Sequence, residues 1–416
     1  MKCLYFPYQM PKEQQLQVVE KNLCRRCLAP KERIQEEASG VLVCQDCGAS
    51  SMDGCAFQKR LLTKGSHRLQ LDFSLSKSQE AGSRFFLDCV RERVPGFLQA
   101  VCGAGKTEMV LEGICMALNS GWRVCIAIPR KPVVIELYHR LKRYFPITSL
   151  KMLHGEMKDD QDAPLLISTI PQLIHYQAEF DLLILDEIDA YPFRGNVYLK
   201  RLVQKALKPT GILLQMSATM DLAIQKEIEQ SSIRFLRISE RYHGHPLDLP
   251  RCVQVTNLYR SLSRGVLPEE IALILKKWQK DKKPILCFVS KETLGRLVVK
   301  ALQQRAFSAE LIYSQTKQPY RILDQFRRQE TEILVTTTLL ERGVTFPHLS
   351  VMVMDADHPI FTRDVLIQIS GRVGRHRESP SGEILFCSKH KTKAMVTAIR
   401  MIRQMNELKN SGKKVT

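Results

Sequence analysis

The stretch that decides the fold is Ala100-Val101-Cys102-Gly103-Ala104-Gly105-Lys106-Thr107. It has the spacing of a phosphate-binding loop, and it lies between an apolar segment and a segment of helical periodicity. Gly103 and Gly105 let backbone N–H groups wrap around phosphates, and the N-terminal end of the following helix adds positive potential. In such a loop Lys106 reaches the β- and γ-phosphates and Thr107 holds Mg2+. We therefore expect residues 100–107 to bind ATP with Mg2+.

An acidic pair follows a second apolar segment, Leu182-Leu183-Ile184-Leu185-Asp186-Glu187-Ile188-Asp189. Open α/β sheets bind ligands at the carboxyl ends of their strands. We expect Asp186 to bind Mg2+ through water and Glu187 to orient or deprotonate the attacking water. A carboxylate pair at a strand end is otherwise often a helix N-cap. Beside a phosphate loop, the pair indicates hydrolysis of ATP. Ser217-Ala218-Thr219 follows another apolar segment but is too short to carry a conclusion alone.

Apolar strands alternate with amphipathic helical stretches around these motifs, as in a parallel sheet covered on both faces. The first series of predicted strands is 97–101, 124–128, 165–169, 182–186 and 212–216. A second series, without a phosphate loop, is 285–289, 310–313, 333–337, 351–354 and 384–387. We predict two α/β lobes, 75–243 and 244–416, after an N-terminal region 1–74.

The second series contains Thr336–Phe346 (TTTLLERGVTF) and Gln368–Arg375 (QISGRVGR). Gly371 and Gly374 free the backbone around Arg372 and Arg375. On a helix or at its start, their three-residue spacing would point both guanidinium groups the same way. The planar guanidinium gives bidentate contacts to phosphate and stays charged. We expect two arginine fingers supplied across a cleft; the alternative is a surface helix that forms salt bridges.

Four cysteines near the N-terminus stand in two C-x2-C pairs, Cys24/Cys27 and Cys44/Cys47. Sixteen residues separate the pairs, a spacing that can place four thiolates tetrahedrally around one zinc ion. Gly48 permits a tight turn after the second pair, and 41–43 is expected to be a short strand. Four thiolates leave no open coordination position, so the zinc-ribbon-like module (about 20–55) would be structural. The alternatives are redox dithiols or buried thiols, and Cys55 is interpreted as a bystander.

The chain is strongly basic, with 62 Lys and Arg against 43 Asp and Glu and a net charge of +19. Residues 244–416 carry 29 basic and 16 acidic residues, a net +13. Such a surplus indicates a polyanionic partner, either nucleic acid or an acidic membrane surface. No apolar run is long enough for a membrane span, and no secretory signal is present. The scattered cysteines are typical of a reducing, cytoplasmic compartment.

Apolar residues recur at helical spacing near the C-terminus: Met395, Ile399, Ile402, Met405 and Leu408. The pattern predicts an amphipathic helix packed on the second lobe. Because the other positions are rich in Lys and Arg, a phosphate-tracking helix or a membrane-surface helix are the alternatives.

Taken in order, these motifs resemble a superfamily 2 helicase motor over roughly residues 75–390. The resemblance implies two RecA-like lobes that clamp ATP between them and carry single-stranded nucleic acid across their top. It also implies that Gln79, Gly343 and Gln368 contact ATP. Ile188 and Gln368 depart from the DEAD-box RNA helicase pattern, in which Ala and His stand at the corresponding positions.

The four-cysteine module before the motor, residues 186–193 (DEIDAYPF) and 340–346 (LERGVTF) resemble the ComFA family of competence ATPases. That resemblance implies translocation on single-stranded DNA during import of transforming DNA. It also implies ComFC, DprA and the membrane DNA-uptake channel as partners, with peripheral docking at the inner face of the membrane. A homo-oligomer is compatible with this interpretation.

Two other functions remain open at this point. The first is a primosome- or repair-type DNA helicase that unwinds duplexes, although no aromatic-rich loop or strand-separating hairpin stands out. The second is a zinc-containing DNA-binding module whose nucleotide site only switches shape. We also expect loss of zinc to destabilise the N-terminal module while the motor keeps its basal ATP turnover.

Overall fold

The computed structural model describes residues 2–6, 16–58, 65–155, 162–220, 222–230, 232–340 and 346–410. The chain divides into two compact units. One is Met1–Ala100 with Lys106–Arg237, and the other is Val101–Gly105 with Ile238–Thr416. The limits 1–74, 75–243 and 244–416 stay a prediction.

The N-terminal region is built from short strands. They are β1 (Lys2–Phe6), β2 (Leu16–Gln17), β3 (Val19–Glu20), β4 (Leu23–Cys24), β5 (Ile34–Glu36), β6 (Leu42–Cys44) and β7 (Gly54–Gln58). Strands β1, β7 and β2 form one sheet, while β3–β4 and β5–β6 are antiparallel pairs. The expected strand at 41–43 is present as β6, one residue later in the chain.

Lobe 1 is a seven-stranded sheet in the order β10-β11-β9-β12-β13-β8-β14. Its elements are α1 (Lys77–Glu92), β8 (Gly96–Ala100), α2 (Lys106–Asn119), β9 (Val124–Ile128), α3 (Lys131–Tyr144), β10 (Leu150–Leu153), β11 (Leu165–Thr169), β12 (Phe180–Leu185), α4 (Val197–Ala206), β13 (Leu207–Ser217), α5 (Leu222–Gln230) and β14 (Arg234–Ile238). A 3-10 segment, Ile170–His175, follows β11. Strands β9, β12, β13 and β8 pair in parallel, as predicted.

Lobe 2 is a six-stranded parallel sheet in the order β15-β20-β19-β16-β18-β17. Its elements are β15 (Arg251–Gln254), α6 (Leu258–Ser263), α7 (Glu269–Lys280), β16 (Ile285–Phe288), α8 (Glu292–Gln303), β17 (Ala309–Ile312), α9 (Pro319–Arg327), β18 (Ile333–Thr336), β19 (Ser350–Val353), α10 (Arg363–Ser370), β20 (Ile384–Ser388) and α11 (Lys393–Asn410). All five strands predicted for this lobe are present, each within one residue of its expected start.

The C-terminal helix α11 packs on lobe 2. Met395 and Ile402 of its apolar stripe are buried, and the Asn406 side chain donates to and accepts from the backbone of Leu247 at 2.9 and 2.8 Å. Arg400 and Arg403 lie on the exposed face. The predicted packing is therefore confirmed, and the side chain of Leu408 lies outside the described residues.

Among the described helices, none is both long enough and apolar enough to cross a membrane.

Candidate functional site

The phosphate-loop residues have the backbone that their glycines predict. Gly103 and Gly105 have φ of 84° and 79°, in the left-handed region where a Cβ would be strained. The Ala104 N–H donates to the Val101 carbonyl at 3.1 Å, which closes a tight turn. Helix α2 begins at Lys106, whose Nζ lies 3.3 Å from the Ala100 carbonyl oxygen. Lys106 and Thr107 are half-buried in the first turn of this helix.

The acidic pair lies directly after β12, since the strand ends at Leu185. Asp186 accepts the backbone N–H of Glu187 at 2.8 Å. Glu187 has φ of 57°, a left-handed conformation that a non-glycine residue adopts at a cost of about 1 kcal/mol or more. The chain therefore turns sharply between the two carboxylates at the end of β12.

Ser217-Ala218-Thr219, which supported no conclusion from the sequence alone, is hydrogen-bonded to the acidic motif. Thr219 Oγ1 donates to Asp189 Oδ2 at 2.7 Å, and both side chains are buried. Strand β13 lies between β12 and β8, and the three run in parallel. The carboxyl ends of these strands therefore bring Lys106, Asp186 and Thr219 to one edge of the lobe 1 sheet.

The oxygen donors at this edge suit a hard divalent cation. Thr107 offers a hydroxyl and Asp186 a carboxylate, and Mg2+ binds through one or two protein oxygens with the rest of its shell from water and substrate phosphates. Both side chains are only half-buried, which leaves room for such a shell.

Gln79, expected from the resemblance to contact ATP, has a structural partner. Its Oε1 accepts the Ser76 N–H at 3.0 Å, while the Gln79 N–H lies 3.4 Å from Ser76 Oγ. This reciprocal pair is a capping box at the start of α1, and it holds a side chain that is 4% exposed. The contact with ATP stays a prediction.

The arginine pair of lobe 2 differs from its expectation in one respect. Helix α10 ends at Ser370, so Arg372 and Arg375 lie in the turn beyond it rather than on a helix or at its start. Gly374, with φ of 65°, breaks the helical spacing between them. Arg372 is 1% exposed, whereas Arg375 is half-buried and its Nε donates to the Gly371 carbonyl at 2.8 Å. The prediction that the two arginines lie on a helix or at its start was therefore wrong.

Sequence reasoning missed Arg241, which follows β14 and belongs to the second of the two compact units. Its Nη1 donates to the Gly374 carbonyl at 2.8 Å, and His243 Nε2 lies 2.8 Å from the same oxygen. Burial lowers the pKa of Arg241 to about 10, so the guanidinium is still charged at neutral pH. In the sequence, Arg241 is distinguished only by its place in the run Ser-Glu-Arg-Tyr-His.

Two other residues were expected to contact ATP. Gln368 is buried on α10, and Gly343 lies outside the described residues.

The four cysteines come together as predicted. Their sulfur atoms all lie within 4.8 Å of one another, and the Cys24–Cys47 and Cys27–Cys44 sulfurs are 3.6 Å apart. Sulfurs around a tetrahedral zinc at about 2.3 Å would be about 3.8 Å apart. The donor set therefore fits zinc. Hydrogen bonds with the Cys27 and Cys47 thiols lower the pKa of Cys24, whereas their hydrogen bonds with Cys24 raise the pKa of Cys27 and Cys47, so zinc binding by all four thiolates must displace protons from the cluster.

The two cysteine pairs form equivalent turns. Leu28 and Gly48 donate to the Cys24 and Cys44 carbonyls at 2.7 and 2.8 Å, and both have positive φ. Two matching turns that face each other are the arrangement expected of a zinc ribbon. Cys55 lies in β7, and its side chain is outside the described residues.

Comparison with known proteins relates both lobes to helicases. Residues 65–222 match the family described as type III restriction enzyme, res subunit, and residues 266–377 match the helicase conserved C-terminal domain. Yeast Dbp5 bound to RNA and ADP BeF3 is similar in fold, with a TM-score of 0.60 at 17% identity, covering 80% of this chain and 88% of Dbp5. RecG bound to a three-way DNA junction has a TM-score of 0.57 at 16% identity, covering 82% of this chain and 47% of RecG. These similarities show the two RecA-like lobes of a superfamily 2 helicase.

Two relatives are more similar in sequence. Competence protein ComFA of Bacillus subtilis is 36% identical over 342 residues, which cover 82% of this chain and 74% of the relative. Competence protein ComFA of Streptococcus pneumoniae is 32% identical over 408 residues, which cover 92% and 94%. Because this identity extends over most of both lengths, the chain belongs to the ComFA family and carries a superfamily 2 helicase motor.

Proposed function

We propose that this protein is an ATP-hydrolysing motor that moves along single-stranded DNA and helps import transforming DNA during natural competence. The observation that carries the proposal is the edge of the lobe 1 sheet, where Lys106, Asp186 and Thr219 follow the carboxyl ends of three adjacent parallel strands. Family membership supports the competence role.

Each candidate residue has a task in hydrolysis. Lys106 contacts the β- and γ-phosphates, and the backbone of Ala100, Gly103, Ala104 and Gly105 surrounds them. Thr107 and Asp186 would hold Mg2+, which neutralises charge on the phosphates. Glu187 positions the attacking water and accepts its proton.

The remaining candidates lie outside this edge. Arg372 and Arg375 neutralise the charge that develops on the transferring phosphoryl group, and Gln79, Gly343 and Gln368 complete the contacts to ATP. Zn2+ bound by Cys24, Cys27, Cys44 and Cys47 would be structural, because four thiolates leave no position for a substrate.

The basic surplus of lobe 2 supports a nucleic acid track. A net +13 over residues 244–416 attracts phosphates and releases their counterions. The ComFA resemblance adds ComFC, DprA and the membrane DNA-uptake channel as proposed partners, with the protein at the cytoplasmic face of the membrane.

A DNA helicase that unwinds duplexes is the second candidate. The observation that favours it is the similarity to RecG of Streptococcus pneumoniae, an ATP-dependent DNA helicase. The two are 26% identical over 342 residues, which cover 74% of this chain and 48% of RecG.

Displacement of streptavidin from biotinylated single-stranded DNA, measured beside unwinding of a forked duplex, tests the proposal. We expect ATP-dependent displacement by the wild type and none by Lys106→Ala, with the fork left intact. Fork unwinding would favour the helicase, and failure to displace streptavidin from either end of the strand would contradict translocation.

A further inference from the structure

The four-cysteine module (about residues 20–55) is held to lobe 1 by a buried lysine of helix α4. Lys205 is 4% exposed, and its Nζ donates to the Arg26 carbonyl at 2.7 Å and to the Ile174 carbonyl at 2.8 Å. Arg26 stands between Cys24 and Cys27, and Ile174 lies in the 3-10 segment after β11. A buried ammonium group is very unfavourable without partners. Lys205 therefore joins three pieces of the chain at one point: a cysteine turn, α4 and the segment after β11.

A second polar contact joins α4 to the other cysteine turn. Asp46, between Cys44 and Cys47, pairs with two arginines. Arg33 Nη2, from the module itself, lies 2.6 Å from Asp46 Oδ1, and Arg201 Nη2, from α4, contacts Asp46 Oδ2. The Asp46 side chain is 7% exposed and that of Arg201 is 19% exposed, so this pair is shielded from water. Each cysteine turn thus has its own anchor on α4.

Apolar packing continues between these anchors. Cys24, Cys27 and Cys44 belong to one buried cluster that also contains Leu199, Leu202 and Val203 of α4. The same cluster reaches Ile188 and Phe193, which flank the turn between Glu187 and α4. A continuous core therefore runs from the cysteine sulfurs to the residue after Glu187.

We propose that the zinc module is a brace for lobe 1, with Lys205 and Arg201 as the positioning residues that transmit metal occupancy to α4. The inference rests on the proposed zinc and does not depend on DNA translocation. Bound metal fixes the two cysteine turns, the turns fix the Arg26 carbonyl and Asp46, and these hold α4. It adds to the expectation that loss of zinc destabilises the module while the motor keeps its basal ATP turnover, because it predicts that α4 of lobe 1 loosens as well.

Thermodynamic linkage makes the proposal testable in both directions. If zinc orders α4, then the contacts of α4 must strengthen the hold on zinc by the same factor. Removing Lys205 or Arg201 therefore weakens zinc retention, although neither residue binds the metal.

The experiment uses the purified full chain, with zinc content measured first. Zinc transfer to a chromogenic chelator is followed for the wild type, Lys205→Met and Arg201→Ala. Hydrogen exchange of a peptide covering 197–206 is followed with and without chelator. Two variants serve as matched controls: Gln204→Ala, an exposed position on α4, and Lys208→Ala, which breaks an ion pair with Asp181 (2.8 Å) in the same lobe.

We expect both anchor variants to hold zinc at least about fivefold more weakly than the wild type in equilibrium competition with the chelator, and the controls to hold it with wild-type affinity. Chelation should raise exchange in 197–206 and leave α8 of lobe 2 unchanged. If Lys205→Met does not fold, Arg201→Ala, at a less buried site, carries the test. Absence of zinc from the purified protein would overturn both the zinc assignment and the brace. If both anchor variants hold zinc as the wild type does, and chelation leaves hydrogen exchange in 197–206 unchanged, the brace alone would be overturned.

Discussion

Thr219 donates a hydrogen bond to Asp189, with Oγ1 2.7 Å from Oδ2 in the buried interior of lobe 1. The two residues follow neighbouring parallel strands, β13 and β12. Ser217 Oγ in turn accepts the Thr219 N–H at 3.2 Å, so the turn after β13 is fixed from both sides. The Ser-Ala-Thr and Asp-Glu-Ile-Asp motifs are therefore one hydrogen-bonded unit, and Glu187 lies within it.

Removing the Thr219 hydroxyl should disturb this unit. Thr219→Val keeps the shape of the side chain but leaves a buried Asp189 carboxylate oxygen without this donor, a loss of about 1–3 kcal/mol in the free energy of unfolding. We expect lower stability in urea and slower ATP turnover. Thr219→Ser retains the hydroxyl and should stay near the wild type. Equal behaviour of the two variants would show that the hydrogen bond does not matter.

Substitutions at Gln79 can separate its capping role at the start of α1 from its proposed contact with ATP. Glu is also a capping-box residue, so Gln79→Glu keeps an acceptor for the Ser76 N–H but loses the amide donor. Gln79→Ala loses both and should cost about 0.5–2 kcal/mol of stability. If Gln79 contacts ATP, both variants should bind ATP more weakly, measured by fluorescence titration with a nucleotide analogue. Normal ATP affinity in Gln79→Glu would leave Gln79 with a capping role alone.

Arg375 is the better test of the arginine fingers, because Arg372 is 1% exposed and its removal would also change the packing around it. Arg375→Ala should reduce ATP turnover by about 1,000-fold or more while ATP affinity changes little, since a finger acts mainly in the transition state. The measurement pairs steady-state hydrolysis with equilibrium binding. A parallel loss of both would assign Arg375 a structural role.

Asp355, after β19, should make stability depend on pH. Burial raises its pKa to about 7, although a hydrogen bond from the Ser290 N–H (3.2 Å) opposes the shift. Between about pH 4 and pH 7 the folded protein keeps a proton that the unfolded chain has lost, so this contribution to stability falls as pH rises and levels off above pH 7.

Asp355→Asn removes the titration and keeps an acceptor for the Ser290 N–H. Relative to the wild type, the variant should gain stability with rising pH by up to about 1.4 kcal/mol per pH unit in this window. Urea unfolding at pH 5.5, 6.5 and 7.5 measures the gain. A stability difference that stays constant with pH would contradict the assignment.

Interior strands were predictable because a strand buried on both faces is a continuous apolar run. Val124–Ile128 and Leu165–Thr169 lie where the sequence predicts them. The strands that were missed in the two lobes, β10, β14 and β15, each lie at the edge of a sheet, where exposure weakens the apolar pattern. Strand β7 depends on pairing with β1, which a local pattern does not contain.

The candidate functional residues divide in the same way, into those that a local sequence pattern predicts and those that depend on distant contacts. The phosphate loop, the acidic pair and the cysteine pairs each carry their chemistry in a short motif. The Lys205–Arg26 contact joins residues 179 positions apart, and no local pattern predicts it. Burial of Lys205 is itself unusual for a lysine, which sequence alone would place on the surface.

ATP turnover with single-stranded DNA, duplex DNA and RNA, each at two salt concentrations, tests the central claim most directly. Single-stranded DNA should stimulate the wild type most, with a steep loss of stimulation at high salt. Lys106→Ala should hydrolyse ATP roughly 100-fold more slowly or worse. Lys142→Ala, an exposed lysine on α3, should match the wild type. Stimulation by RNA or duplex DNA equal to that by single-stranded DNA, or wild-type turnover in Lys106→Ala, would contradict the account.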